Sequence, residues 1–282
     1  MPRSSPSTQA VPIRWYRPES GVADEARPTL LWLHGGGFYS GGLAQPEAHA
    51  VAGALAERGV AVVTVDYRLA PPLFPALTAR GNLPPSGSSR PRERFPAALT
   101  DASLAYRRLL AQSPGGVIGG GGSAGACLAA ATTLAAIDAG SPPVGAVLAY
   151  GFFHADHPRA DAGQRSRGYR RLSHSQPLLN AMNRNYAPTP AQRADRLAFP
   201  GGHDLAGFPR TLAVNAQFDS MRASGDRFAE ELSAAGVDVQ HRVLPGSRHA
   251  FLNRPGSRDF ASAVELIAGW VTSRWVTAQS RV

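Results

Sequence analysis

Gly121-Gly122-Ser123-Ala124-Gly125 stands between a short apolar run, Val117-Ile118, and an alanine-rich stretch of helical pattern over residues 126–137. A strand, a sharp turn at serine and a helix form the setting that a G-x-S-x-G nucleophile elbow requires. A turn this tight places strained dihedrals on Ser123, so the flanking positions must be nearly free of side chain. In exchange the hydroxyl stands clear of the sheet, and the next helix directs its N-terminus at any oxyanion formed there. The same five residues would also serve as a glycine-rich turn with an idle serine. The rest of the chain has to decide between the two.

Upstream, Thr29-Leu-Leu-Trp-Leu33 is a continuous apolar run of strand length, which predicts a strand buried on both faces. It ends in His34-Gly35-Gly36-Gly37-Phe38. Three glycines let backbone N–H groups face a ligand without obstruction, and a plain turn does not need so many. Residues 47–57 have helical period, with Val51 and Leu55 on one face, and residues 60–65 read as the next buried strand. Strand, helix and parallel strand in succession place the sheet in the doubly wound α/β class. Residues 11–16 alternate weakly, as an edge strand does. An exposed edge would allow a homodimer. Residues 72–94 carry proline, glycine, serine and arginine without sustained period and read as a long loop, followed by a helix to about residue 112.

Downstream, residues 144–150 form another apolar strand pattern, after which the alternation lapses from 152 to about 205. A helix around residues 175–186 is the regular part of that segment. An insertion of this size over the strand ends predicts a small cap. The pattern resumes with a strand at Thr211–Phe218, a helix over 223–235, a strand over 237–244, a loop over 245–251 and a last helix over about 260–275. The expected organisation is a single domain over 1–282, with a cap insertion at about 152–205 and a loop insertion at about 72–94.

Composition removes several chemistries. All 29 basic residues are arginine, which excludes Schiff-base and pyridoxal-phosphate chemistry and a P-loop, each of which needs a lysine amine. The single cysteine, Cys127, excludes a disulfide framework and a multi-cysteine metal site, and its helical position predicts a small buried thiol. The net charge of +9 is spread along the chain with no accompanying aromatic-basic module, so nucleic acid is not an expected partner. Residues 1–10 lack a signal-peptide core, and no apolar run approaches the roughly 18 residues of a spanning helix. The expectation is a cytoplasmic protein without membrane contact.

A serine is a poor nucleophile at neutral pH and needs a base, which in turn needs an acid to fix its tautomer. Ser123, Asp219 and His249 occur in that chain order, with Asp219 and His249 each just past a predicted strand. Such strand ends are where active sites gather in open α/β sheets. Other candidates fit less well. His241 lies inside a strand, His203 and Asp204 close the cap segment, and Asp226 falls on a helix face expected to be exposed. His154 and His157 lack a third metal ligand at suitable spacing and read as surface histidines. Arg159, Arg165, Arg167, Arg170 and Arg171 read as a solvated face.

On His34-Gly-Gly-Gly-Phe38, Asp66-Tyr-Arg-Leu-Ala-Pro71, Phe95-Pro-Ala-Ala98, Gly121-x-Ser-Ala-Gly125, Asp219-Ser-Met-Arg222 and His249-Ala-Phe251, the chain resembles the hormone-sensitive-lipase-like carboxylesterases of the α/β-hydrolase fold. The resemblance covers roughly residues 29–275. It implies Ser123, Asp219 and His249 as catalytic triad, an oxyanion hole from the N–H groups of Gly36, Gly37 and Ala124, and no cofactor or metal. It also implies cleavage of small carboxylic esters, with short acyl chains preferred. The same machinery would serve amide, lactone or carbamate hydrolysis or acyl transfer, and a hydrolase-fold ligand receptor is the non-enzymatic alternative. Three features depart from the family pattern. Gly122 stands where an acidic residue is usual, residues 72–94 interrupt a segment that is usually short, and 33 residues precede the glycine loop where two cap helices are often found. The last departure predicts a smaller cap and a more open pocket.

Overall fold

The computed structural model describes residues 10–19, 27–73, 88, 90–166, 168 and 170–279. The strands are β1 (Ile13–Tyr16), β2 (Thr29–Leu33), β3 (Val62–Val65), β4 (Val117–Gly122), β5 (Gly145–Ala149), β6 (Thr211–Phe218) and β7 (Val239–Arg248). They form one sheet in the order β1-β3-β2-β4-β5-β6-β7. Only β1 runs antiparallel to its neighbour; β2 to β7 are parallel. All the parallel strands therefore end on one side of the sheet, the side on which Ser123, Asp219 and His249 follow their strands.

Side-chain alternation splits the core into two layers. Leu31, Leu33, Val63, Val65 and Leu148 face one layer, with the helices α2 (Ala97–Leu110), α3 (Ala124–Asp138) and α7 (Arg222–Ala234) packed on it. Leu30, Trp32, Val62, Val147 and Val214 face the other, covered by α1 (Pro46–Ala56) and α8 (Arg258–Gln279). The intervening segment folds into α4 (Arg170–Ser173), α5 (Gln176–Tyr186) and α6 (Pro190–Arg193) as cap helices. Stacking pins the cap: the Phe38 ring lies 3.8 Å from that of Tyr186, and Phe152 and Phe199 meet Phe38 edge-on. Each such aromatic pair contributes about 0.5–1.5 kcal/mol beyond its buried area.

Two strands run further than the pattern of side chains indicates. β4 continues past Ile118 through four glycines, because a central strand with neighbours on both edges has little room above and below it. A Cβ on Gly120 would already lie 3.1 Å from Leu30, Trp32 and the Val147 carbonyl. β7 continues through Pro245-Gly246, which the sequence presents as a loop. Proline is tolerated there because β7 is an edge strand, and pairing with β6 resumes across a register shift at Phe218 and Arg248.

His154 and His157 are buried, contrary to their reading as surface histidines. His154 Nδ1 lies 2.8 Å from Ser224 Oγ and its Nε2 3.1 Å from Glu231, so polar partners compensate its burial. His157 packs its ring on Phe152. Asp226 is likewise half-buried rather than exposed, paired with His241 at 3.0 Å and Arg222 at 2.9 Å. Of the long-loop reading over 72–94, residues 74–87 and 89 lie outside the described residues. Its far end is tied down by arginine: Arg92 donates to the carbonyls of Tyr39 and Ala70, and Arg90 meets the Asp66 carbonyl and the buried Asp101.

Candidate active site

Ser123 sits between β4 and α3 with φ 53° and ψ −121°, a conformation that L residues rarely adopt. What holds it there is close packing. A methyl group on Gly125 would overlap the carbonyl oxygen of Leu33, and one on Gly121 would meet the backbone of Gly125. Glycine at both positions lets the end of β2 and the first turn of α3 close around the serine.

Ser123 Oγ lies 2.9 Å from His249 Nε2, and His249 Nδ1 lies 2.6 Å from Asp219 Oδ2. All three residues are buried. Oδ1 of Asp219 accepts the Met221 N–H at 3.0 Å. Burial works against ionising Asp219, but the facing His249, its hydrogen bond and His174 outweigh it and hold the carboxyl below its usual pKa. A carboxylate on Nδ1 keeps the proton there and leaves Nε2 free to accept from serine. The Tyr150 ring stands edge-on to His249 at 5.1 Å.

The glycine loop after β2 is folded by its own backbone. The Gly36 carbonyl accepts from the N–H groups of Tyr39 and Ser40 and from Ser40 Oγ, with Gly36 at φ 118° and Gly37 at φ 61°. Among the described residues, no acceptor takes the N–H of Gly36, Gly37 or Ala124. His34 stacks on Tyr67 at 4.4 Å, and the Tyr67 hydroxyl donates to the His34 carbonyl at 2.6 Å. Burial pushes the His34 pKa down to about 4, so this ring is a neutral prop. Arg68 in turn holds Asp101 through three hydrogen bonds, from its backbone N–H at 2.8 Å and from its guanidinium at 3.0 and 3.1 Å. The Asp66-to-Pro71 stretch thus buttresses the glycine loop from behind.

Glu47, Tyr150 and His174, which the sequence reading gave no role, border this site. Glu47 is fully buried and accepts hydrogen bonds from the Gly35 N–H and the Tyr150 hydroxyl. Its signal was present: positions 47, 51 and 55 share one stripe of α1, and an acidic residue on an apolar stripe is out of place. His174 meets the His249 ring edge-on at 4.9 Å. His174, Asp219 and His249 are also the one group among the described residues whose ligand atoms, all within 4.8 Å, could hold a metal ion. Arg159 and Arg165 are exposed, and the side chains of Arg167, Arg170 and Arg171 lie outside the described part. His203 and Asp204 are exposed. No helix among the described residues is long and apolar enough to cross a membrane.

A mostly parallel sheet with a serine at the turn after its central strand, a histidine in contact with it after the last strand, and an aspartate in contact with that histidine after the strand before, defines an α/β hydrolase. A family model described as alpha/beta hydrolase fold matches residues 30–78 and 88–253. The chain is 32% identical to an ethyl acetate hydrolase of Pseudomonas putida over 88% of its own length and 73% of the relative's. It is 30% identical to the carboxylesterase NlhH of Mycobacterium tuberculosis, over 86% of this chain and 72% of that one. Among solved structures, the hyperthermophilic esterase of Pyrobaculum calidifontis superposes with a TM-score of 0.77 at 30% identity, covering 94% of this chain and 80% of that one. The chain belongs to the hormone-sensitive-lipase-like carboxylesterase family of α/β hydrolases.

Proposed function

We propose that the protein is a serine esterase that cleaves small carboxylic esters through an acyl-enzyme. The observation that carries this reading is the unbroken hydrogen-bond chain from Ser123 through His249 to Asp219, at 2.9 and 2.6 Å, beneath a glycine loop with open N–H groups. His249 Nε2 takes the Ser123 proton as Oγ attacks the ester carbonyl. The oxyanion is received by the N–H groups of Gly36, Gly37 and Ala124, and removal of one such donor costs about 3 kcal/mol. The imidazolium, steadied by Asp219, returns its proton to the leaving alkoxide. Water then attacks the acyl-Ser123 ester, with His249 again as base, and releases the acid.

Two observations favour short acyl chains. One relative is an ethyl acetate hydrolase. The glycine loop is also roofed by the cap: a methyl group on Gly37 would lie 2.7 Å from the Met182 sulfur. In this reading residues 152–205 act as a small cap on a single domain, and the chemistry calls on no cofactor.

The test is hydrolysis of p-nitrophenyl esters from acetate to palmitate, with and without a serine-directed phosphonate, in wild type and Ser123→Ala. Turnover should peak at short chains and vanish on labelling or on substitution. Undiminished turnover in Ser123→Ala would sink the assignment.

A further inference from the structure

We propose that Glu47 is the positioning residue of this site: its carboxylate, set in the space left by Gly122, locks the glycine loop and Tyr150 into the geometry that ester cleavage requires. This rests on the esterase reading. Position 122 has no side chain, and the volume next to it is not empty. A Cβ on Gly122 would lie 2.5 Å from Oε1 of Glu47, 2.9 Å from its carboxyl carbon and 2.9 Å from the Tyr150 hydroxyl. A side chain at 122 would therefore require the Glu47 carboxylate and the Tyr150 hydroxyl to leave their present positions.

The carboxylate is fixed from every side. Its oxygens accept the Gly35 N–H, the Tyr150 hydroxyl and, at 3.2 Å, Nε2 of Gln45. Its own backbone is held by Trp32, whose Nε1 donates to the Glu47 carbonyl at 2.8 Å, and by Asn253 Oδ1, which accepts its N–H at 3.2 Å. Trp32 belongs to β2, Gly35 to the glycine loop, Tyr150 follows β5, and Asn253 closes the turn after His249. One side chain thus joins segments that lead to each part of the site. A buried carboxylate is tolerated only when such donors surround it. Its place in the first turn of α1 adds the favourable end of the helix dipole.

Gly35 is the point of transmission. A Cβ there would meet Glu47 Oε2 at 2.6 Å on one side and the Ser123 Cβ at 3.0 Å on the other. Loss of the Glu47 contact frees Gly35 and with it the adjoining N–H groups of Gly36 and Gly37. It also frees Tyr150, whose ring packs edge-on against His249. Glu47 touches neither substrate nor the Ser123 hydroxyl, so its effect is expected in turnover rather than in binding.

The test compares E47A, E47Q, G122D and the double variant E47A/G122D on p-nitrophenyl acetate, with rates expressed per phosphonate-titrated site. Misplacing groups by about 1 Å costs on the order of 100-fold, so E47A should lose about 100-fold in kcat with KM within about threefold. E47Q, whose amide oxygen can still accept from Gly35, should lose only about three- to tenfold. G122D alone should be impaired, since its carboxylate collides with that of Glu47. In E47A/G122D the aspartate occupies the vacated space, and kcat should recover at least about tenfold over E47A. If E47A does not fold, E47Q and E47A/G122D carry the test. Wild-type kcat in E47A or E47Q, a loss confined to KM, or no recovery in the double variant would overturn the role. A wild type that neither turns over ester nor takes phosphonate at Ser123 overturns the esterase reading, and this role with it.

Discussion

The Asp219 carboxylate meets Nδ1 of His249 at 2.6 Å in a fully buried position, and this contact sets which ring nitrogen faces Ser123. An amide in its place can present N–H to Nδ1 and force the proton onto Nε2, where it blocks the serine. Asp219→Asn should therefore lower kcat on the order of 10⁴-fold with the fold retained. Steady-state kinetics beside a thermal melt check this. A loss smaller than tenfold would remove Asp219 from the proposed triad.

Acid should destabilise the protein through two buried histidines. Burial pushes the pKa of His34 and of His157 down to about 4, from an ordinary value of 6.5. Between pH 6.5 and 4 the unfolded chain therefore binds protons at these sites that the folded chain does not. Their contribution is complete above the unfolded pKa and is lost as pH falls, by about 2 kcal/mol per histidine at pH 5. Urea midpoints at pH 7 and pH 5 measure the slope. His157→Phe, which keeps an apolar ring against Phe152, should flatten it; an unchanged slope would show that His157 does not supply the linkage.

Two glycine-to-alanine substitutions should move stability in opposite directions. At Gly125 the added methyl overlaps the Leu33 carbonyl, so the end of β2 and the start of α3 must separate. The loss is expected at about 4 kcal/mol or more, the range of severe core defects. At Gly53, inside α1, an added Cβ meets nothing within 4 Å. That variant should gain about 0.5–1 kcal/mol from helix propensity alone. Denaturant titration separates the two. A Gly125→Ala variant as stable as wild type would contradict the packing described at the elbow.

Cys127 lies in α3 with no exposed surface, and burial pushes its thiol pKa well up. Low thiolate content and lack of access both predict silence toward a disulfide reagent in the native protein. Denaturation in urea should release one reactive thiol per chain, the single cysteine of the sequence. Rapid labelling of the native protein would mean that α3 opens readily.

β2 and β6 were legible to the residue: Thr29–Leu33 is the continuous apolar run that a strand buried on both faces requires, and Thr211–Phe218 is apolar apart from Thr211, Asn215 and Gln217 and stops at Asp219. The elbow was legible because only small residues permit its turn, and the order Ser123, Asp219, His249 because each follows a strand. Elsewhere local pattern had nothing to register. The glycines of β4 have no side chains to alternate, and Pro245-Gly246 spells a turn until an edge position makes it harmless. His154, His157 and Asp226 are polar residues whose burial depends on partners brought from distant elements. Glu47 is the mixed case: its place on the apolar stripe of α1 marks it in the sequence, but the partners that explain it come from distant segments. Sequence by itself determined the layered α/β fold, the serine turn and the candidate acid and base, because each rests on local sterics or on periodicity. Only the tertiary structure decided that Gly122 leaves a space and that Glu47 fills it, because that fit requires two segments far apart in the chain to pack in contact.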